Sequence, residues 1–402
     1  MLANRYVKTI MFSRVLLQLG VWIRNFAVLL YVTEKTNNSS FYVSLISVVE
    51  YAPIFLFALI GGTLADRWQP KRTMVGSDLL SAVSVLIVLL VLTGGNWYAL
   101  LFGTLVSASL SQFSQPSAMK LYKQHVPGEQ LPGVMAMSQS LLAIFMVFGP
   151  MIGTFIFIQY GIHVSLILTF AFFLGSAGVL SLLPRDESEP DSMGKGSFMN
   201  EMKAGIRYLV NNRSLRTLST SFAAAGLAAG IIQPLAIFIV MEKLGQDKAF
   251  LQWVMMANGA AMLIGGAAIM GIAKKIQPQL LLAIGLLVSA VCTVAVGMST
   301  NVVLSLSLQV ISGLFYPCVQ VGIQTLIMRN TEPAYMGRVG GAITPIFMGM
   351  MVIGMSLAGF AKDAFSLEAV YAFSGGMLVV GALLLIPIFQ THPSHTVRNE
   401  TR

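Results

Sequence analysis

Three charged side chains, Arg24, Glu50 and Asp78, stand inside runs of residues that are otherwise apolar. A charge in such surroundings is costly unless a partner or a proton neutralises it. A carboxylate there can bind and release protons, and an arginine beside it favours the ionised form. These residues are therefore the candidates for proton handling in this sequence.

Arg24 and Glu50 are expected to interact in at least one conformation. Arg24 lies about eight residues before the end of one apolar run and Glu50 about nine residues into the next, so in two antiparallel helices both lie roughly 12–14 Å below the same interface. Glu50 is then either a carboxylate that takes a proton on separating from Arg24, or one member of a permanent structural ion pair. Asp78 is either a second proton-binding site or a partner of the loop 66–72, and we favour the loop partner.

Uncharged amides in the apolar runs are the candidates for contact with a solute. They are Gln18, Asn25, Gln112, Gln115, Gln139, Gln233, Asn258, Gln309, Gln320 and Gln324. Amides without a charge favour a neutral or weakly polar solute. The sequence also has 24 Met and 24 Phe, which suit a deformable apolar cavity but are equally typical of residues that face lipid.

The composition indicates the environment that must hold these residues. Of the 402 residues, 56% are hydrophobic and 10% are charged, whereas soluble domains carry about 25% charged residues. Apolar windows of about 20 residues, long enough to cross a bilayer, recur along the chain. They lie at 10–32, 41–64, 74–93, 97–116, 134–158, 162–184, 216–240, 249–273, 279–299, 301–327, 337–361 and 367–389. The sequence therefore predicts an all-α membrane protein with twelve transmembrane helices.

The spans divide into two halves. We predict a six-helix bundle over 1–184, a cytoplasmic linker over 185–215, a second six-helix bundle over 216–389 and a cytoplasmic tail over 390–402. A repeat supports the division, because LADRWQP at 64–70 aligns with IAKKIQP at 272–278, each at the end of the second span of its half.

The basic residues predict the orientation. With the N-terminus in the cytoplasm, 19 Lys and Arg fall in inner segments. Four fall outside, namely Lys35, Lys243, Lys248 and Lys362. This asymmetry places both termini in the cytoplasm. In the linker, Phe198, Met202, Ile206 and Leu209 share one helix face, which predicts an amphipathic helix on the cytoplasmic membrane surface.

The segment 61–72 reads GGTLADRWQPKR and joins the second and third spans on the inner face. It resembles the loop signature of the major facilitator superfamily, roughly G-x-L-A-D-R-x-G-R-K-R, from which Gln69 and Pro70 depart. The resemblance implies a conformational latch rather than a substrate site. Its residues would be Gly62, Asp66, Arg67, Lys71 and Arg72.

Gly149, Pro150 and Gly153 form a G-P-x-x-G pattern in the fifth span, similar to the signature of antiporters in that superfamily. Thr154 stands where the fuller pattern often has another glycine. With the segment 33–36 and the linker helix, the chain resembles the macrolide-efflux branch of bacterial drug:proton antiporters. The resemblance implies two pseudo-symmetric six-helix bundles that export a hydrophobic or amphipathic compound in exchange for protons.

Other chemistry is not expected. The sequence has no Walker-type phosphate loop, and its four histidines have no metal-ligand partners at usable spacing, so we expect neither an enzyme nor a cofactor nor a bound metal. The expected partners are a small amphipathic substrate, protons and lipid, with no nucleic acid, for a monomer in a bacterial cell membrane. A lipid or lysolipid translocator and a metabolite symporter remain alternatives, as does a non-transporting receptor or scaffold, which the short loops disfavour.

Overall fold

The computed structural model describes residues 4–65, 69–184, 198–272, 276–332 and 335–385. All regular elements in these ranges are helical. The first half contains α1 (Arg5–Lys35), α2 (Ser40–Ala65), α3 (Pro70–Thr93), α4 (Ala99–His125) and α5 (Leu131–Ser181). The remainder contains α6 (Phe198–Asn211), α7 (Arg213–Phe238), α8 (Leu251–Ile272), α9 (Pro278–Met298), α10 (Val302–Asn330), α11 (Met336–Ala364) and α12 (Leu367–Leu383).

Helix α5 crosses the membrane twice. Gly161 interrupts it with a φ of 75°, in the left-handed region that a residue without Cβ adopts readily. Nine helices in the described ranges are long and apolar enough to cross a bilayer, α5 among them. The more polar α4 and the 17-residue α12 complete twelve spans. The predicted twelve-helix architecture is confirmed.

The spans sort into two six-helix bundles. In the first, α1 packs along α5, α3 packs on α4 and α5, and α2 packs on α4. In the second, α7 packs on α11 and α12. Helices α9 and α10 pack on each other, α9 also packs on α12, and α10 also packs on α8. The bundles meet chiefly through α2 against α11 and α5 against α8. These two interfaces are equivalent under the pseudo-symmetry that relates the halves.

We call the face that carries Arg5 and α6 the linker side, and the face where α1 ends and α2 begins the far side. The far side is closed, because one buried apolar cluster there draws residues from both halves. The Phe41 and Phe360 rings meet with their centroids 5.3 Å apart. Ser40 Oγ donates to Asp363 Oδ1 at 2.5 Å. The other buried clusters each belong to a single half.

The four lysines predicted outside all lie on the far side. Three of them form ion pairs with acidic residues: Lys243 with Glu368, Lys248 with Glu34, and Lys362 with Glu242. The Lys248–Glu34 pair joins the two halves. Pairing therefore neutralises most of the positive charge on this face.

Two elements differ from the sequence-based expectation. Helix α4 continues to His125, past the predicted end at 116, with Pro116 inside it. Pro116 removes the backbone donor that would bond the Gln112 carbonyl, and the next residue, Ser117, donates its Oγ to the Phe113 carbonyl at 2.8 Å. The polar residues of this stretch lowered its hydropathy without ending the helix.

The second difference is α6, which docks on the second bundle. Leu209 is buried in a cluster with Leu215 and Val339, while Ile206 is 45% exposed. The predicted apolar face is thus divided between a protein contact and an outward surface. The linker segment 185–197, the tail from 386, and the central parts of the 64–70 and 272–278 repeats lie outside the described residues.

Candidate functional site

The charged residues of the first half form a hydrogen-bonded network centred on Asn25. Arg24 is buried on α1, and its Nε and Nη2 donate to Asn25 Oδ1 at 3.1 and 2.8 Å. Asn25 Nδ2 in turn donates to Glu50 Oε1 on α2 at 2.5 Å. Arg24 Nη1 donates to Ser107 Oγ on α4. The network therefore ties α1, α2 and α4 together at mid-depth.

Arg24 and Glu50 lie in the same network without a direct ion pair between them. The Asn25 carboxamide stands between them as acceptor from the guanidinium and donor to the carboxylate. Glu50 is only partly buried, and its second oxygen accepts no hydrogen bond from the described residues. This oxygen is free to meet a proton, water or a solute.

The glycines of the G-P-x-x-G segment bring α5 close to α1 just before Arg24. A Cβ at Gly153 would lie 2.6 Å from the Trp22 carbonyl oxygen and 2.8 Å from the Phe26 Cβ. Gly149 lies against the Trp22 ring, and Pro150 is buried beside it. Small residues permit this approach of two helix backbones. The segment therefore fixes the position of the α1 turn that carries the network.

The residue after Glu50 connects the network to the second half. Gln233 Nε2 of α7 donates to the Tyr51 hydroxyl at 3.4 Å. On α10, Gln320 Nε2 donates to the Tyr316 hydroxyl at 2.6 Å. Two of the predicted amides thus bind tyrosine hydroxyls, and one of these bonds crosses between the halves.

The other predicted amides fall into two groups. Some have partners within their own half: Gln112 donates to the Ala108 carbonyl and Ser111 Oγ, and Asn258 donates to the Gln309 carbonyl at 3.0 Å. The rest are exposed or half-buried, namely Gln18, Gln115, Gln139 and Gln324. The structure brings only Asn25 into contact with the charged residues.

Asp78 is buried nearer the linker side. Its Oδ2 lies 2.6 Å from Ser176 Oγ of α5. Arg14 Nη2 of α1 donates to the Ser114 carbonyl of α4 at 3.1 Å. Lys71 Nζ donates to the Leu183 carbonyl, and Arg72 is exposed.

Two of the five residues of the predicted latch cannot be placed with the others. Asp66 and Arg67, the central members of the predicted latch, lie outside the described residues. Gly62 falls within α2 as the sequence predicts. In the described ranges, no group of three or more His, Cys, Asp or Glu is arranged to hold a metal ion.

Sequence reasoning missed a polar stripe on α4 that faces two arginines of α1. Thr104, Ser107, Ser111 and Ser114 recur at intervals of three or four residues on α4 and so share one helix face. Arg24 binds the Ser107 side chain and Arg14 the Ser114 carbonyl, so two of the three α1 arginines contact this stripe. The spacing was visible in the sequence and marks the face of α4 that receives them.

Comparison with known proteins supports the family indicated by the motifs. The sequence model of the Major Facilitator Superfamily matches residues 10–354 and 218–402. Macrolide efflux protein A of Streptococcus pyogenes is 23% identical, over 90% of this chain and 90% of its own length. The multidrug efflux pump Tap of Mycolicibacterium fortuitum is 24% identical, over 86% and 87%. An uncharacterized MFS-type transporter of Bacillus subtilis, YkuC, is 24% identical over 98% and 94%.

The fold is similar to that of a transporter of known structure. The crystal structure of the nucleoside transporter NupG superposes with a TM-score of 0.79 and covers 96% of this chain and 100% of its own, at 12% sequence identity. At that identity the likeness concerns the fold alone. Together with the match of the family model along the whole chain, these findings show that the chain belongs to the major facilitator superfamily of membrane transporters.

Proposed function

We propose that this protein is a secondary active transporter that exports hydrophobic or amphipathic small molecules in exchange for protons. The observation that carries the proposal is the position of Glu50. It is a partly exposed carboxylate at mid-depth, held on one oxygen by Asn25 and next in sequence to Tyr51, which contacts Gln233 of the other half. A group in this place senses both the solute space and the relative position of the halves.

The network offers a way to couple protonation to movement. Arg24 acts on Glu50 through Asn25, so the ionised form of Glu50 is favoured while α1 and α2 keep their present contact. If α2 shifts when the far side opens, Glu50 loses the Asn25 donor that stabilises its charged form and takes up a proton from that side. Proton binding then follows the conformation, as exchange requires.

Export follows from the orientation that the basic residues predict. If the linker side is cytoplasmic, a closed far side makes this the conformation that loads substrate from the cytoplasm or the inner leaflet. Two relatives named for export, a macrolide efflux protein and a multidrug efflux pump, support the same direction. A single chain contains both halves of this pathway, so the proposal requires no second copy.

The test is transport by the purified protein in proteoliposomes with an imposed proton gradient. A macrolide and a fluorescent lipophilic amine serve as probes, with lysolipid as a third. We expect gradient-dependent movement of at least one amphipathic probe by the wild type. Wild-type vesicles that move none of them under the gradient would remove the antiporter proposal, and lysolipid movement without a gradient would favour a lipid translocator.

The role of Glu50 is tested in the same vesicles. Glu50→Gln should abolish gradient-driven accumulation while leaving exchange of labelled for unlabelled substrate. Glu129→Gln, which changes an exposed glutamate of the loop before α5, is the matched control and should behave as wild type. Full proton-driven accumulation by Glu50→Gln would show that the Arg24–Asn25–Glu50 network is structural.

A further inference from the structure

A second buried carboxyl group lies apart from the Glu50 network. Asp78 projects from α3 between α1 and the second span of α5, and it is 3% exposed. Its Oδ2 is 2.6 Å from Ser176 Oγ, and Ser176 Oγ is 3.1 Å from the Ser13 carbonyl oxygen. Ser176 and Ser13 are buried as well. The three residues therefore form a buried chain of oxygen atoms.

The number of hydrogen atoms in this chain depends on the charge of Asp78. A serine hydroxyl carries one hydrogen, and a carboxylate and a carbonyl carry none. If Asp78 is ionised, Ser176 can donate to Asp78 or to Ser13, and the remaining pair of oxygens is left in contact without a hydrogen between them. If Asp78 is a carboxylic acid, it donates to Ser176 and Ser176 donates to Ser13. Only the acid places a hydrogen in both contacts, while the Ser13 carbonyl, inside α1, also accepts from the helix backbone.

The charges around Asp78 also favour the carboxylic acid over the carboxylate. Among the described residues, Asp78 interacts with Arg14 on α1 and with the Ser176 hydroxyl of α5, and Tyr122 on α4 interacts with Arg14. Arg14 directs its guanidinium to the Ser114 carbonyl, and in the described part of the chain it forms no ion pair with Asp78. An ionised buried carboxylate without a paired cation is strongly unfavourable, whereas a neutral acid is not.

We propose that Asp78 is a proton-binding site, occupied in this conformation, with Arg14 as its alternative partner. In the occupied state Asp78 donates to Ser176 and Arg14 binds the Ser114 carbonyl. When Arg14 leaves Ser114 and pairs with Asp78, before the linker side closes, the proton passes from Oδ2 to water. Asp78 is about 12 Å from the start of α3, so this water would enter from the linker side. That the site contributes to coupling rests on the proposed function; its occupancy does not.

Infrared spectroscopy of the purified protein in lipid tests the occupancy without substrate or gradient. At neutral pH the wild type should show the carbonyl stretch of a protonated carboxylic acid. Asp78→Asn should remove that band and Glu50→Gln should leave it. Asn is a suitable replacement because its amide can donate to Ser176 as the acid does. A wild-type spectrum without the band, or a band that survives Asp78→Asn, overturns the proposal.

A second variant covers the case in which Asp78→Asn is not recovered folded. Ser176→Ala removes the hydrogen-bond acceptor of the acid and should shift the frequency of the band. The control is Ser307→Ala, which changes an exposed serine on α10 and should not shift the frequency of the band. A band unchanged in Ser176→Ala contradicts the assignment. Because transport is measured separately, failure of proton exchange in vesicles and absence of the Asp78 band are distinguishable results.

Discussion

Asn25 donates a hydrogen bond to Glu50 at 2.5 Å and accepts two from Arg24 on its other side. A carboxamide is suited to this place because it has both a donor and an acceptor end. It separates the two charges while keeping each of them hydrogen-bonded. Any change in the contact between α1 and α2 therefore reaches Glu50 as the loss of one specific donor.

Replacing Asn25 with aspartate should uncouple the carrier. The introduced carboxylate would still accept from Arg24, but it has no N–H for Glu50 and it places a second negative charge beside it. Glu50 should then retain its proton in both conformations. We expect gradient-driven accumulation in proteoliposomes to fall about tenfold or more while substrate exchange persists. Asn96→Asp, in an exposed loop on the far side, should have no effect on accumulation. Equal accumulation by both variants would contradict the proposal that Asn25 links Arg24 to Glu50.

The contact of α5 with α1 should be sensitive to a single methyl group. Gly153→Ala places a Cβ 2.6 Å from the Trp22 carbonyl oxygen, so the helices must move apart. Overpacking of this kind destabilises by about 1–3 kcal/mol. Thermal unfolding in detergent should show a lower midpoint for Gly153→Ala. Gly178→Ala lies on the same helix with open space around it and provides the control. Identical midpoints for the two variants would mean that α1 moves to accommodate the methyl group without loss of stability.

Closure of the far side should depend on the backbone contact of α2 with α11. A Cβ at Gly359 would lie 2.7 Å from the Ser40 carbonyl oxygen, so Gly359→Ala should favour conformations in which these helices separate. Spin labels at Asn96 and Thr300, on far-side loops of the two halves, measure the separation. We expect a larger population at long distances for Gly359→Ala than for Gly376→Ala, where a Cβ meets open space. Unchanged distances would mean that the contact of α2 with α11 at Gly359 does not keep the far side closed.

The sequence predicted the spans well because hydropathy and helix length are local properties. Arg24 and Glu50 were also predicted at one depth, since helix rise converts residue number into height. The intervening position of Asn25 was not predictable in this way. It depends on the rotation of α1 about its axis, which is fixed by Trp22 packing against the two glycines of α5.

The docking of α6 was likewise beyond the sequence pattern. Periodicity placed Ile206 and Leu209 on one face, but it does not tell a lipid-facing residue from one that contacts another helix. The contact depends on Gly205, which meets the Arg338 backbone on a helix more than 100 residues later in the chain. Such a pairing is a property of the assembled bundle.

The contact of α6 with α11 should limit access of a protease to α6. The Tyr208 and Tyr335 rings stack with centroids 4.4 Å apart, next to the point where a Cβ at Gly205 would lie 2.5 Å from the Arg338 carbonyl oxygen. Gly205→Ala should therefore loosen α6 from α11 and expose Phe198–Asn211 to protease. We expect cleavage there to be several-fold faster than in wild type, and in Gly340→Ala, where a Cβ has open space, to be unchanged. Equal cleavage in all three proteins would mean that α6 stays in place by other contacts, such as the burial of Leu209.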